Sequence, residues 1–187
     1  MPEPIELNPV DALGTGAVGS PGDRAFYIQA RSERGQLTVL VEKEQIALLA
    51  TEAVAFLDRI ADEYPEDGVD LPVAVAELQE PTVPLFRARL IGLGFDPERE
   101  LVLIELREHT TAEDESEASG PPVSDPELPP DLPGDEAEGF VARLYATRGQ
   151  VRAMAARGAA TVAGGRPACP LCDQPMDPAG HRCPRWN

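Results

Sequence analysis

Residues 37–57, LTVLVEKEQIALLATEAVAFL, contain a change of hydrophobic period that decides the fold class. Residues 37–41 are a run of apolar and β-branched side chains, which is typical of a strand. From Glu42 onward the apolar residues recur at helical spacing and predict an amphipathic helix over about 43–62. The first structural unit that the sequence predicts is therefore a strand followed directly by a helix.

The residues before this unit predict two further strands. Residues 25–31 alternate apolar and polar side chains, and a loop at 32–36 joins them to residues 37–41 as an antiparallel hairpin. Another strand is expected at about 10–18, followed by a Ser-Pro-Gly-Asp turn at 20–23.

The residues after the helix predict a loop and a second antiparallel pair. Prolines and acidic residues interrupt 64–82, which favours an irregular connection. Residues 85–92 and 101–107 have the apolar character of strands, and a turn at 95–99 joins them.

A strongly acidic stretch follows. Residues 113–138 hold ten acidic residues and six prolines. Ordering a chain costs roughly 1–2 kcal/mol per residue, and this composition buries too little apolar surface to offset that cost. Residues 109–138 are therefore predicted to be a disordered, acidic, proline-rich linker.

After the linker the sequence repeats the pattern of the opening stretch. Residues 140–145 alternate as a strand, Thr147 is placed as an N-cap, and residues 148–163 carry the apolar stripe of a helix. The segment 141–162 resembles 37–57, so the body is either two ββα-like halves sharing one sheet or contains two unrelated amphipathic helices.

These segments predict an α+β protein with an antiparallel sheet of five to six strands, two helices and a small C-terminal zinc knuckle. The predicted organisation is an N-terminal α+β part at 1–108, the linker at 109–138, a strand–helix segment at 139–164 that completes the body, and the knuckle at 165–187.

The C-terminal segment carries the clearest chemical motif. Cys169 and Cys172 have the spacing of a turn that aims two thiolates at one point, and His181 and Cys183 follow after eight intervening residues. The set predicts a structural Zn²⁺ site with four protein ligands. Three alternatives remain open: a redox pair of the first two cysteines, unligated cysteines, and a His181 that neighbours the metal without binding it.

Charge is unevenly distributed along the chain, whose net charge is −17. Residues 143–187 hold seven arginines and two acidic residues, a net charge of +5, whereas residues 1–142 carry a net charge of −22. A basic patch is possible at Arg148, Arg152, Arg157, Arg166, Arg182 and Arg185. The alternative is a solvated helix face, and the negative field of the whole chain favours it.

Several classes of protein are disfavoured by the sequence. No apolar run reaches the length of a membrane span, and the N-terminus lacks the pattern of a secretory signal, so a cytoplasmic location is expected. The glycines at 14–22 are not followed by the Gly-Lys-Ser/Thr of a phosphate-binding loop, and two histidines leave few groups for acid–base hydrolysis.

Four motifs resemble a known family. They are Gly-x-Val-Gly-x-Pro-Gly-x-Arg-x-Phe-x-x-Gln-Ala at 16–30, Glu-Lys-Glu-Gln at 42–45, Gly-Arg-Pro-x-Cys-Pro-x-Cys at 165–172 and Asp-Pro-x-Gly-His-x-Cys-Pro-Arg at 177–185. Together they are similar to an uncharacterised actinobacterial family of conserved hypothetical proteins, a domain of unknown function. The resemblance implies an actinobacterial cytosolic origin and no catalytic residues. Asp173 stands where a glycine is expected after the second cysteine, because that position often needs a left-handed backbone.

Three functions are consistent with these observations. The first is a non-enzymatic intracellular adaptor or regulatory protein whose zinc site supports docking of a partner protein. The second is a zinc-containing, nucleic-acid-associated protein that binds through residues 140–187. The third is an enzyme whose site the sequence does not reveal, and a membrane partner is not expected.

Overall fold

The computed structural model describes residues 3–65, 76–108, 139–165, 169–174, 176 and 181–186. These residues form eight strands and two helices, in the order β1 (Ile5–Leu7), β2 (Ala12–Ser20), β3 (Asp23–Ser32), β4 (Gly35–Val41), α1 (Lys43–Glu63), β5 (Phe86–Arg87), β6 (Leu90–Asp96), β7 (Leu101–Arg107), β8 (Val141–Ala146) and α2 (Arg148–Ala163). The predicted α+β class is confirmed. The predicted linker at 109–138 lies outside the described residues.

The strands form two sheets of four strands each, in the orders β2-β3-β4-β5 and β1-β8-β7-β6. Within each sheet the three long strands are antiparallel, and a short strand adds in parallel at one edge. The prediction of one antiparallel sheet with five to six strands is therefore wrong in its strand number and in its pairing.

The two short strands explain most of that error. β1 has three residues and β5 has two, which is too short for a visible alternation. The single strand predicted at 85–92 is instead β5 and the start of β6, which lie in different sheets. Parallel pairing with a strand far along the chain leaves no local signal, because it depends on tertiary contacts.

The fold consists of two halves with the same strand arrangement. Each half has a short strand, three long strands and a helix, and each short strand joins the sheet of the other half. Ile5 of β1 lies opposite Ala142 of β8, and Phe86 of β5 lies opposite Val39 of β4. The halves resemble the expected ββα pattern, but they do not share one sheet.

Two glutamines fasten the halves together. Gln45 accepts a hydrogen bond from the Glu42 N–H at 2.8 Å, and its Nε2 donates to the carbonyls of Ala88 and Arg89. Gln150 accepts from the Thr147 N–H at 2.9 Å, and its Nε2 donates to the carbonyls of Val10 and Asp11. Each glutamine therefore caps the N-terminus of its own helix. It also binds the backbone that follows the short strand of the other half.

Replacing Gln150 by alanine should destabilise the protein by about 1–3 kcal/mol, because the part-buried carbonyl of Val10, the carbonyl of Asp11 and the helix N-terminus lose their partner. Gln45→Ala should have a similar effect, since its contacts are equivalent. The measurement is urea unfolding followed by circular dichroism. The control is Gln36→Ala, at an exposed position on β4. Equal midpoints for Gln150→Ala and Gln36→Ala would contradict this account.

One core joins both sheets and both helices. The predicted helices are confirmed, and α1 buries one apolar stripe that consists of Ile46, Leu49, Ala50, Ala53, Leu57 and Ile60. β7 is central in its sheet, and its alternate residues Val102, Ile104 and Leu106 are fully buried. The predicted N-cap Thr147 is also confirmed, because its hydroxyl accepts the Gln150 N–H.

Candidate metal centre

Four side chains near the C-terminus bring their donor atoms together. The ligand atoms of Cys169, Cys172, His181 and Cys183 all lie within 4.8 Å of one another. Sγ of Cys169 is 3.8 Å from Sγ of Cys183, and Sγ of Cys172 is 3.9 Å from Nε2 of His181. The structure thus assembles the four residues that the sequence spacing singled out, and they could bind a metal ion.

Two of the donor–donor distances match the edges of a tetrahedral zinc centre. A zinc–sulfur bond is about 2.3 Å, so two thiolates on one tetrahedral ion are about 3.8 Å apart. A zinc–nitrogen bond is about 2.0–2.1 Å, which gives a sulfur–nitrogen edge of about 3.6 Å. Cys169 is buried, with 4% exposure, and the other two cysteines are half-buried. The donor set therefore suits an ion that is largely shielded from water.

A tight turn positions the first two cysteines. The N–H of Cys169 donates to the carbonyl of Gln174 at 2.8 Å, and the N–H of Asp173 donates to the carbonyl of Cys169 at 2.9 Å. Asp173 has a φ of 59°, so the left-handed backbone expected at this position is confirmed. Aspartate tolerates this region better than most residues with a Cβ atom, which lets the turn close without glycine.

Backbone N–H groups point at the sulfurs and change their acidity. Hydrogen bonds from the N–H groups of Leu171 and Cys172 lower the pKa of the Cys169 thiol to about 6, against the opposing effect of burial. The Gln174 N–H also lowers the pKa of Cys172, but burial and the neighbouring sulfurs outweigh it, and that pKa is raised. Thiolates bind metal ions, so the N–H groups favour the ligating form of Cys169.

A second turn carries the last ligand and an exposed aromatic side chain. The N–H of Trp186 donates to the carbonyl of Cys183 at 3.1 Å, and the guanidinium of Arg185 donates to the carbonyl of Leu171 at 3.1 Å. Arg185 therefore links the two turns. The side chains of Trp186 and Leu171 are 78% and 48% exposed.

Trp186 was not singled out by the sequence analysis. The available signal was that it is the single tryptophan of the chain and lies in a proline-rich segment with no apolar partners nearby in sequence. A large aromatic residue in such a segment has no core to join, so exposure follows.

The six arginines of the possible basic patch have different environments. Arg148 is buried, with 4% exposure, and its guanidinium donates to the carbonyl of Tyr64 at 2.7 Å, so it is not part of any surface patch. Arg157 is exposed, 3.8 Å from the carboxylate of Glu77. Arg166 lies outside the described residues, and the remaining three are exposed: Arg152, Arg182 and Arg185.

A family model described as a protein of unknown function, DUF3090, matches residues 5–183. The chain belongs to the DUF3090 family. The match confirms the resemblance seen in the sequence motifs, while the actinobacterial origin stays a prediction. The DUF3090 match includes both halves of the body and all four residues of the metal centre.

No curated protein and no solved structure shows significant similarity to this DUF3090 chain. Among the described residues, neither helix has the length and apolar character that crossing a membrane requires.

Proposed function

We propose that this DUF3090 protein is a non-enzymatic, cytoplasmic adaptor or regulatory protein whose C-terminal zinc knuckle docks a partner protein. The convergence of Cys169, Cys172, His181 and Cys183 carries this proposal. Four protein ligands complete a tetrahedral zinc ion and leave no position for water or substrate, which is the mark of a structural site. Three thiolate ligands also suit a reducing compartment.

The surface of the knuckle supports a docking role. Trp186 and Leu171 are exposed apolar side chains. Arg185 is exposed next to Trp186 in sequence and donates to the Leu171 carbonyl, and Arg182 is exposed four residues before Trp186. Tryptophan and arginine are the residues most often found to dominate the binding energy of protein–protein interfaces. Structural zinc contributes about 10–16 kcal/mol of apparent binding energy in small peptides, enough to fix such a loop without a core.

Replacing Trp186 by alanine should weaken partner binding by about 30-fold or more, because an interface residue of this type contributes about 2 kcal/mol or more. The measurement is affinity capture from native lysate with wild type and Trp186→Ala, followed by titration of the partner that is lost. Leu48→Ala is the control, since Leu48 is an exposed apolar residue on α1. A captured set that Trp186→Ala and Cys172→Ser leave unchanged would rule out docking through the knuckle.

A nucleic-acid role is the second candidate. Trp186 next to Arg185 is an arrangement that stacks on unpaired bases and contacts phosphate. The net charge of −17 and the burial of Arg148 weaken this candidate. Binding of the full chain to single-stranded DNA or RNA that falls steeply with salt would favour it over protein docking.

A further inference from the structure

The equivalence of the two halves extends to single residues. The N–H of Asp11 donates to the carbonyl of Arg31, and the N–H of Arg89 donates to the carbonyl of Arg107. The glutamines at the two helix starts reach the carbonyls of the same two residues, Asp11 and Arg89. Position 11 therefore corresponds to position 89, and the strands that follow, β2 and β6, can be compared residue by residue.

This comparison aligns the glycines and reveals one large difference. Ala12 lies opposite Arg31, as Leu90 lies opposite Arg107, so the offset between β2 and β6 is 78 residues. Gly14 and Gly16 then correspond to Gly92 and Gly94. The residue after the second glycine of each strand faces the core. It is Phe95 in β6 and Ala17 in β2.

In the second half, aromatic rings fill the space beside the edge strand. The ring centroid of Phe95 is 5.2 Å from that of Tyr64, which caps the C-terminus of α1. The guanidinium of Arg148 lies 4.9 Å from the Phe95 ring centroid. Phe95 is thus held between a helix end and a cation, at the edge of its sheet.

In the first half, the corresponding space is open. A cleft of about 590 Å³ lies between β2, the C-terminal half of α2 and residues 77–82. Its volume is within the range of about 300–1,000 Å³ that ligand pockets occupy. The cleft is lined by several small residues: Gly16, Ala17, Gly19, Ala160 and Gly164. Leu78 lies against Gly16, so the open space is on the side of Ala17 and the end of α2.

An arginine also lies at the helix end in the cleft, although it comes from β3 and not from the start of a helix. Arg24 donates to the carbonyls of Thr161 and Gly164, as Arg148 donates to the carbonyl of Tyr64 at the end of α1. A guanidinium is therefore tied to a helix end in both halves. Among the described residues β2 pairs with β3 alone, so its second edge carries backbone N–H and C=O groups facing away from the sheet.

We infer that this cleft binds an extended peptide segment of a partner protein, with an aromatic side chain in the space that Phe95 fills in the other half. The segment adds to the edge of β2, which provides backbone hydrogen bonds, and the ring lies over Ala17 near Arg24. Glu77 and Glu80 line the cleft together with Arg24 and Arg157, so the charges of the lining balance and the residues flanking the ring are uncharged. This site is separate from the knuckle and does not depend on the proposed zinc site.

The test uses the full-length protein and two blocked tripeptides, Val-Phe-Val and Val-Ser-Val. Amide chemical shifts are followed by NMR during titration. The expected result is saturable shifts at Ala17, Val18 and Thr161 with Val-Phe-Val, and an affinity for Val-Ser-Val that is weaker by about tenfold. Ala160→Phe fills the cleft from α2 and should abolish these shifts. Ala159→Phe is the matched control, because Ala159 is exposed on the same helix but does not line the cleft.

Each outcome decides the inference. Binding of Val-Phe-Val that Ala159→Phe retains and Ala160→Phe loses supports it. Equal affinity for the two peptides overturns the aromatic specificity, and the absence of shifts up to the solubility limit overturns the site. Ala17→Phe provides a second blocked variant, because it places a phenylalanine in the first half at the position that Phe95 has in the second half. Peptide shifts that persist in both blocked variants also overturn the inference.

Discussion

Replacing Cys172 by serine should reduce the zinc content of the purified protein from one ion per chain to almost none. The apparent binding energy of about 10–16 kcal/mol depends on four ligands, and a serine hydroxyl does not supply a thiolate. The measurement is elemental analysis after dialysis against a mild chelator under reducing conditions. Unfolding of the body should change little, because the core cluster contains no residue of the knuckle.

The matched control for this prediction is Leu171→Ser. Leu171 lies between the two cysteines, is exposed and offers no ligand atom, so this variant should retain its zinc. The zinc site is contradicted if wild-type protein prepared with added zinc is metal-free. The assigned ligand set is contradicted if Cys172→Ser keeps a full ion.

Replacing Ile104 by alanine should destabilise the body by about 2–5 kcal/mol. Ile104 is fully buried at the centre of β7, and alanine would leave a cavity between the sheet and the helices. For a protein of this size, each kcal/mol lowers Tm by about 2–4 °C. Calorimetry or thermal unfolding followed by circular dichroism measures the effect.

Leu103→Ala is the control, because Leu103 is the neighbouring residue on the opposite, half-exposed face of the same strand. The cost there should be clearly smaller, since less apolar surface is lost from the interior. Similar losses for the two variants would mean that the inner face of β7 is not the centre of the core.

Local patterns in the sequence were sufficient for the long elements. The hairpin of β3 and β4, both helices and the cap at Thr147 follow from hydrophobic period and from residues with strong positional preferences. The metal-binding residues followed from spacing, because Cys169 and Cys172 are close enough for one turn to place both sulfurs. Asp173 was recognised for the same reason, since that turn needs a left-handed residue.

Features that depend on distant contacts were not predictable from the sequence. β1 and β5 are strands because they pair with β8 and β4 at the edges of the two sheets. β1 has three residues and β5 has two, and segments this short show no pattern that would predict the partner strand. Arg148 was a candidate for a possible basic patch, with a solvated helix face as the favoured alternative, because it lies four residues before Arg152 on a helix. Its burial against Tyr64 and Phe95 comes from the C-terminal end of α1 and from the edge strand β6, which are distant in sequence.

Because the halves exchange their short strands, β1 cannot join its sheet at the time it is synthesised. β1 is made long before the backbone it pairs with, at 142–144. A ribosome must therefore release nearly all of the body before the first strand can dock, and contacts of such long sequence separation form slowly. Until then the nascent chain exposes an incomplete sheet, so the step that completes this sheet is delayed until β8 has been made.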